Sequence, residues 1–403
     1  MTIGSRMVRK IILKQSGKRS FHGNHPWILE HSIHEPGTKP QVGEVVDLVR
    51  EDGKFVGRGF YNPNSRIRIR LFTWDPEESL DEGLILKRLD RAIEHRGRIG
   101  LTDATNAIRL VFSEADQLSG LVVDRYAEHL VIQLTSAALQ PFISAIADRL
   151  FELYRPLTIS LLMDERSAKT EGLEAQHRFL VGRPSEEYVE IQENGLRWTV
   201  DLAGGQKTGY YLDQRENRLA ATRWIPKKAR VLDVCTYVGG FALTIAKYCE
   251  TASIVAVDSS EKALQAAQKH AEINGLVERL EFIQADFFDF LSDQVDGGHT
   301  YDAIVLDPPR LASSREHLQR ALAAYHRLNY LAIRLLREGG TLITCSCSGR
   351  VSRPEFREVL KGVASRARRE VQVLEERAAA PDHPSCLSCP ETDYLKCVMA
   401  RVL

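Results

Sequence analysis

Hydrophobic and polar positions change rhythm twice along this chain. Residues 1–74 carry short strand-like runs, "RKIILK", "GEVVDLV", "FVGRGFY" and "RIRIRLFTW", separated by Gly, Pro and Asn. Runs of that length with such boundaries predict a small all-β module. "RIRIRLF" alternates strictly, so Arg66, Arg68 and Arg70 are expected on one face of a strand. "DPEES" (75–79) reads as a linker and helix start. Residues 75–185 mix helix-periodic stretches, "LDEGLILKRLDRAIEHRGRIG" and "LQPFISAIADRLFELYRP", with strand-like "AIRLVF", "GLVVDRYAEHLVIQLTS" and "LTISLLM", which predicts an α+β segment. "EYVEIQENGLRWTVDL" reads as a hairpin, Asn194-Gly195 supplying the positive φ angles of its turn. From about residue 220, apolar strands ("ARVLDV", "SIVAVD", "LEFIQAD", "DAIVLD", "GTLITCSCS") alternate with helices. That alternation predicts a parallel, doubly wound α/β sheet over residues 186–403.

Bulk properties sharpen this picture only slightly. A length of 403 residues suggests two or three domains, and 43% hydrophobic with 27% charged residues suits a globular protein with a sizeable core. No apolar run approaches the roughly 20 residues of a membrane span. The N-terminus lacks the apolar stretch of a secretory signal. Seven cysteines in such a chain are expected as free thiols in a reducing, cytoplasmic setting. Residues 1–74 hold 13 basic and 6 acidic side chains, a net +7 balanced by −7 over the remainder. A basic front is a candidate polyanion footprint, although a merely solvated basic surface explains the charge equally well.

The chemistry-bearing residues fall at strand ends, where such sheets bind ligands. The first strand of the sheet ends with Asp233 and turns through Gly239 and Gly240 into a helix, opening a helix N-terminus to a ligand. The second ends in Asp258, placed to accept hydrogen bonds from ribose hydroxyls, and the third in Asp286-Phe287, suited to an adenine. Cys235 and Tyr237 stand where a G-x-G-x-x-G fingerprint wants glycine, which argues against a nicotinamide or flavin cofactor. The fourth strand ends in Asp307-Pro308-Pro309, a rigid stretch able to offer a carbonyl and a carboxylate to a flat amino-bearing group.

In their order, "LDVCTYVGGFAL", "VDSS", "ADFFDFL", "LDPP" and "TCSCSG" resemble S-adenosylmethionine-dependent methyltransferases of the Rossmann type. "GQKTGYYLDQRENR" (205–218), "HPW" (25–27), "FSEADQLSGLVVDRY" (112–126) and the tail "DHPS…PETDYLK" extend the resemblance over nearly the whole chain, to the bacterial ribosomal RNA large-subunit methyltransferase I group. That resemblance implies a PUA-like RNA-binding barrel at 1–74, a middle α+β domain at 75–185 and a methyltransferase domain at 186–403. It implies S-adenosylmethionine as cofactor, 23S ribosomal RNA as partner with a single-stranded or loop cytosine as target, and a homodimer as the assembly to look for. The implied cofactor residues are Asp213, Arg215, Asp233, Tyr237, Gly239, Gly240, Asp258, Ser259, Asp286 and Phe287. Arg215 is a candidate for the cofactor's carboxylate. Lys207 is a candidate for a phosphate or the base, and Lys14, Lys18, Arg19, His25 and Trp27 are candidate RNA contacts.

The family makes 5-methylcytosine, and the chemistry explains the cysteines. Carbon 5 of cytosine is a poor nucleophile until a thiolate adds at carbon 6. A Cys at one strand end and an Asp at its neighbour's would serve, and the resemblance assigns Cys347 as nucleophile with Asp307 beside it. Cys345 and Cys347 are two residues apart, so periodicity alone puts both on one face. Cys347 lies nearer the ligand edge, and Cys345 is expected as a packed strand residue. A rival reading joins these two with Cys386 and Cys389 as four zinc ligands. The spacing C-x-C on a strand disfavours it, so no metal ligand is expected. Two other functions compete: methylation at nitrogen with structural cysteines, and a catalytically silent RNA-binding assembly factor.

Overall fold

The computed structural model describes residues 8–14, 24–100, 104–183, 188–202, 210–250, 252–311 and 317–403. The chain forms two compact units. One comprises 1–189, 200–210 and 382–392, and the other 190–199, 211–381 and 393–403.

In the first unit, β1 (Arg9–Ile12), β2 (Trp27–Leu29), β3 (Glu44–Val49), β4 (Phe55–Tyr61) and β5 (Ile67–Thr73) form a sheet in the order β1-β3-β4-β5-β2. The four expected strands are present. β2 is the addition, three residues being too short to leave a periodic signal. Helix α1 (Glu82–Ile99) starts where the Asp81 side chain accepts from the Leu84 N–H and stops at left-handed Gly100, φ 67°. Then come β6 (Ala107–Phe112), β7 (Leu121–Tyr126), β8 (His129–Leu134), α2 (Ile143–Tyr154), β9 (Thr158–Met163), α3 (Glu165–Glu171) and β10 (Gln176–Val181). Their sheet runs β10-β9-β8-β7-β6. Phe60 and Phe72 of the first sheet share one hydrophobic core with Ile85 and Leu89 of α1 and Val123 and Ile132 of the second sheet.

The arginine stripe of β5 is not a uniform basic face. Arg66 is exposed, but Arg68 is tied to the carbonyls of Asn62 and Pro63 and to Glu30. Arg70 is only 7% exposed and sits between Glu114 and Glu171. The physical reason is that Glu114, Ser119 and Glu171, from elements later in the chain, pack over the arginine at this end of β5. Of the candidate RNA contacts, Lys14 is half-buried, His25 pairs with Glu391, and the Trp27 indole donates to Glu114 at 2.8 Å. Lys18, Arg19 and Lys207 lie outside the described residues.

A hairpin of β11 (Tyr188–Glu193) and β12 (Leu196–Asp201) turns through Asn194 and Gly195 at φ 50° and 68°, as the Asn-Gly pair demands. In the second unit follow α4 (Arg215–Ala221), β13 (Arg230–Val234), α5 (Gly240–Tyr248), β14 (Ser253–Asp258), α6 (Glu261–Ile273), β15 (Leu280–Gln284) and α7 (Phe287–Asp296). Then come β16 (Tyr301–Leu306), α8 (Leu318–Leu335), β17 (Leu336–Ser346), α9 (Arg353–Ala367), β18 (Val371–Arg377) and β19 (Lys396–Val402). They build a seven-stranded sheet, β15-β14-β13-β16-β17-β19-β18, in which only β19 runs antiparallel to its neighbours. This is the expected doubly wound α/β architecture. The strand order reverses beside β13, which puts a ligand crevice at the carboxyl ends of β13, β14 and β16.

β17 starts at Leu336, four residues before the run "GTLITCSCS" that marks this strand in the sequence. Leu336 pairs with Tyr301, the register then slips, and Thr341 pairs with Ala303, so the glycines form a bulge inside the strand rather than a turn before it. Among the described residues, no helix is long and apolar enough to cross a membrane.

Candidate active site

The loop from β13 to α5 is wound tightly. Cys235 (φ 62°), Tyr237 (φ 53°) and Gly239 (φ 87°) all take left-handed conformations, two of them in residues with a Cβ, and such strain persists only where the surroundings impose it. Asp233 imposes part of it. The carboxylate is buried, and its Oδ2 accepts from the Thr236 hydroxyl (2.6 Å) and the Ala242 N–H (3.0 Å). Asp258 imposes the rest, accepting the Tyr237 N–H at 2.8 Å on one oxygen and the Ser260 N–H at 2.9 Å on the other. A Cβ on Gly239 would meet Leu243 Cδ1 at 2.3 Å. Gly240 is small for a different reason than ligand approach: a Cβ there would strike Arg218 Nε at 2.6 Å.

Four carboxylates converge on this loop. The Cys235 thiol is pushed well above its ordinary value, by burial first and then by Asp258, Asp307, Asp233 and Asp286. Burial, with Asp307 and Asp258 adding to it, pushes Asp233 up to about 7. Its Oδ1 is buried and finds no hydrogen-bond partner among the described residues. A crevice of this kind suits a ligand that brings positive charge and an N–H donor. The sulfonium and ammonium groups of S-adenosylmethionine meet both demands, so the residues present fit that cofactor.

The remaining cofactor candidates vary in what they offer. Asp286 is exposed, but one carboxylate oxygen already caps α7, accepting from the N–H groups of Phe288 (2.8 Å) and Asp289 (3.2 Å). Phe287 is half-buried against Phe288, ring centroids 4.5 Å apart, and Ser259 is exposed beside Asp258. Asp213 and Arg215 are both buried. Asp213 takes the Tyr394 hydroxyl, and Arg215 has no exposed surface. Arg215 pairs through Nε with Glu216 Oε1 at 3.4 Å.

The two cysteines part company at the end of β17. Cys345 is fully buried, directly opposite Cys397 of β19. Cys347 lies just past the strand, half-buried, its Sγ 3.8 Å from the carbonyl oxygen of Pro308. The "DPP" stretch and the second thiol are therefore in contact, with Asp307 next in the chain.

Three residues at this end escaped the sequence reading. Tyr211 meets Tyr237 edge-to-face at 5.2 Å, and its hydroxyl is pushed up by burial, Tyr237, Cys347, Asp213 and Asp307. Lys396 is buried and donates to the carbonyls of Ser348 (2.8 Å) and Tyr394 (2.9 Å); burial pulls it down to about 8 against the opposing pull of Cys347. Gln214 donates from Nε2 to Asp307 Oδ1 at 3.0 Å. All three sit inside quoted signatures, "GQKTGYYLDQRENR" and "PETDYLK", but which side chain of a signature points inward is a property of the fold.

Gln214 is held in one orientation. Arg377 Nε can only donate, so Asn217 presents Oδ1 to it (3.0 Å) and Nδ2 to Gln214 Oε1 (2.6 Å). Gln214 is left with its amide N–H groups toward Asp307. Replacing Gln214 by Glu keeps the Asn217 contact but sets a second carboxylate against Asp307. Turnover should drop roughly 10- to 100-fold, with the acid limb of the rate profile moved to higher pH, because paired carboxyls share a proton. A Gln214→Glu enzyme with the wild-type profile would mean that Asp307 does not titrate in the reaction.

Comparison with known proteins agrees with this geometry. The PUA-like domain family matches residues 11–74, and the S-adenosylmethionine-dependent methyltransferase family matches residues 168–392. The ribosomal RNA large subunit methyltransferase I of Escherichia coli (strain SMS-3-5 / SECEC) is 37% identical over 395 residues, 98% of this chain and 99% of that protein. Its counterpart in Shewanella denitrificans is 39% identical over 398 residues, 98% and 100% of the two chains. A methyltransferase solved in complex with SAH superposes with a TM-score of 0.84 at 19% identity, over 98% of this chain and 100% of the other. A SAM-dependent methyltransferase from Streptococcus mutans does so at 0.82, with the same identity and coverage. Those two structures share the fold. By the full-length sequence matches, the chain belongs to the ribosomal RNA large subunit methyltransferase I family of S-adenosylmethionine-dependent methyltransferases.

Proposed function

We propose that this enzyme methylates carbon 5 of a cytosine in 23S ribosomal RNA, with Cys347 as nucleophile and Asp307 as its acidic partner. The observation that carries the reading is the contact between Cys347 Sγ and Pro308 O at the open end of the sheet, beside the Gln214–Asp307 hydrogen bond. The relatives' names supply ribosomal RNA as the substrate class.

When bound, S-adenosylmethionine supplies an electrophilic methyl group. Asp233, Tyr237, Gly239, Gly240, Asp258, Ser259, Asp286 and Phe287 would hold it at the ends of β13, β14 and β15, with Asp213 and Arg215 behind them. The Pro308 carbonyl and Asp307 are suited to grip the cytosine's amino group and ring nitrogen, which orients the flat base. The Cys347 thiolate forms a bond to carbon 6, and the ring electrons move toward carbon 5, with ring nitrogen 3 taking a proton or hydrogen bond from the acid. Once carbon 5 carries the methyl group it loses its original proton to a base. The sulfur–carbon 6 bond then breaks and aromaticity returns. Lys396, a buried cation close enough for Cys347 to raise its proton affinity, favours the thiolate.

The segment 1–74 is proposed as the RNA-binding module, 75–185 as a connecting domain and 186–403 as the catalytic domain, with a single-stranded or loop cytosine as target, because a base must leave its stack to reach such a crevice. A homodimer is the proposed assembly.

Ribosomal RNA fragments containing 5-fluorocytosine test the mechanism. Fluorine at carbon 5 blocks the final proton loss, so a denaturation-resistant protein–RNA adduct should accumulate with wild type and S-adenosylmethionine and be missing with Cys347→Ala. Methyl transfer to natural RNA with no adduct on the fluorinated one would sink the thiol mechanism and leave methylation at nitrogen.

A further inference from the structure

Segment 382–392 folds with the first unit although it lies between β18 and β19 of the second unit's sheet, and it carries "DHPSCLSCPET". Within it Cys386 and Cys389 face each other across a tight turn, the Cys389 N–H donating to the Cys386 carbonyl at 3.0 Å. Thr392 locks that turn: its hydroxyl oxygen accepts the Cys386 N–H and its O–H donates to the Cys389 carbonyl, both at 2.7 Å. Both thiols are free. His25, from just before β2, places Nε2 3.0 Å from Glu391 Oε2, and Cys389 Sγ lies 3.6 Å from the same oxygen. The ligand atoms of His25, Cys389 and Glu391 all lie within 4.8 Å of one another.

We propose that His25, Cys389 and Glu391, completed by Cys386, form a structural zinc site in the first unit. Zinc takes imidazole nitrogen, thiolate sulfur and carboxylate oxygen, and a tetrahedron of such bonds, about 2.0 to 2.3 Å each, has edges of roughly 3.3 to 3.8 Å. The distances of 3.0 and 3.6 Å already match such edges to within a few tenths of an ångström. Cys386 and Cys389 have the C-x-x-C spacing of a zinc turn, and their loop is ordered by its own hydrogen bonds before any ion arrives.

Two adjustments accompany binding. The Cys386 thiol, now 3.0 Å from the Ser388 hydroxyl, rotates away from it toward Cys389. His25 now accepts the Trp27 N–H on Nδ1 at 3.1 Å, so a neutral ring holds its proton on Nε2, shared with Glu391. Zinc at Nε2 sends that proton to Nδ1, so the Trp27 contact is given up along with the hydrogen bonds of His25 and Cys389 to Glu391, against four metal–ligand bonds. Both thiols lose their protons to solvent, so two thiolates and one carboxylate on a dication leave a net charge of −1. The four ligands differ from the set that joined Cys386 and Cys389 to Cys345 and Cys347. Cys345 is engaged with Cys397, and Cys347 belongs to the other unit.

The test uses the full-length protein purified under reducing conditions. Elemental analysis should find about one zinc per chain, and cobalt added after chelation should give a thiolate-to-cobalt charge-transfer band that saturates near one equivalent. Cys389→Ser and Cys386→Ser should each weaken cobalt binding at least tenfold and shrink the band, and Glu391→Gln and His25→Gln should weaken binding with the band retained. A wild-type protein with neither zinc nor a cobalt band overturns the site, as does a band that survives in Cys389→Ser. If a variant fails to fold, the wild-type titration decides alone.

Discussion

Cys347→Ala is expected to lower methyl transfer by roughly three orders of magnitude or more while the protein still binds S-adenosylmethionine. The size follows from the chemistry. Without a bond at carbon 6, carbon 5 of cytosine has no electron density to offer, and nothing else at the end of β17 can replace the thiolate. The neighbouring Cys345→Ala should keep turnover within a few-fold of wild type and instead cost about 1 to 2 kcal/mol of stability, because it deletes a buried sulfur packed against Cys397. Single-turnover transfer of labelled methyl to ribosomal RNA, alongside cofactor titration and thermal unfolding, measures all three quantities. The crossed result, with Cys345→Ala silent and Cys347→Ala active, would move the nucleophile to Cys345 and require β17 to open. If both variants stay active, the thiols are structural and Asp307-Pro308-Pro309 serves an amino group.

Arg70→Met is expected to destabilise the first unit by about 3 to 5 kcal/mol, the cost of leaving buried carboxylates without their counter-ion. Arg70 donates to Glu114 at 3.2 Å, to Ser119 at 3.1 Å and to Glu171 at 3.3 Å. Glu171 also gathers Ser65, Asn62 and the Ala137 N–H, so the network ties β5 to α3 and to the loop before α2. Burial alone would push the Glu114 carboxyl up. Arg70, with Ser113, Ser119 and Trp27, outweighs burial and holds it below its ordinary value. Its contribution is therefore complete above the unfolded carboxyl value of about 4.3 and drains away as pH falls through the lower folded value. In Arg70→Met that acid-side loss should disappear from the denaturation midpoint plotted against pH. Arg66→Met, on the exposed part of the same stripe, should change stability by less than about 0.5 kcal/mol. Equal effects at the two positions would mean that the buried network adds nothing.

The candidate site was half legible. Asp233, Asp258, Asp286 and Asp307 could be found because each closes an apolar run, and a strand end in a parallel sheet is a ligand edge whatever its neighbours are. What each does there was not. Asp286 spends one oxygen on a helix cap, Asp233 spends one on its own loop, and Gly240 yields to Arg218 rather than to a ligand. Gln214 and Lys396 are 93 and 49 residues from Asp307 and Cys347 respectively, and no local pattern marks a polar side chain that a distant strand turns inward.

By itself the sequence determined the elements and their class: an all-β start, an α+β middle, and an alternation of strand and helix that closes as a sheet parallel from β15 to β17. Those are local matters, set by spacing of apolar residues, by caps such as Asp81 and by turns such as Asn194-Gly195, and each is decided within a few residues. Tertiary structure decided which polar groups meet. Only the covering of both faces of β5 turns Arg70 from a surface charge into a buried clamp. Only the ending of β17 at Ser346 separates a packed Cys345 from a half-exposed Cys347, and only the folding of 382–392 with the first unit sets two cysteines beside His25 and Glu391. Contacts between residues far apart in the chain depend on sheet order and register, and these are settled by burial of the whole core rather than by any one segment.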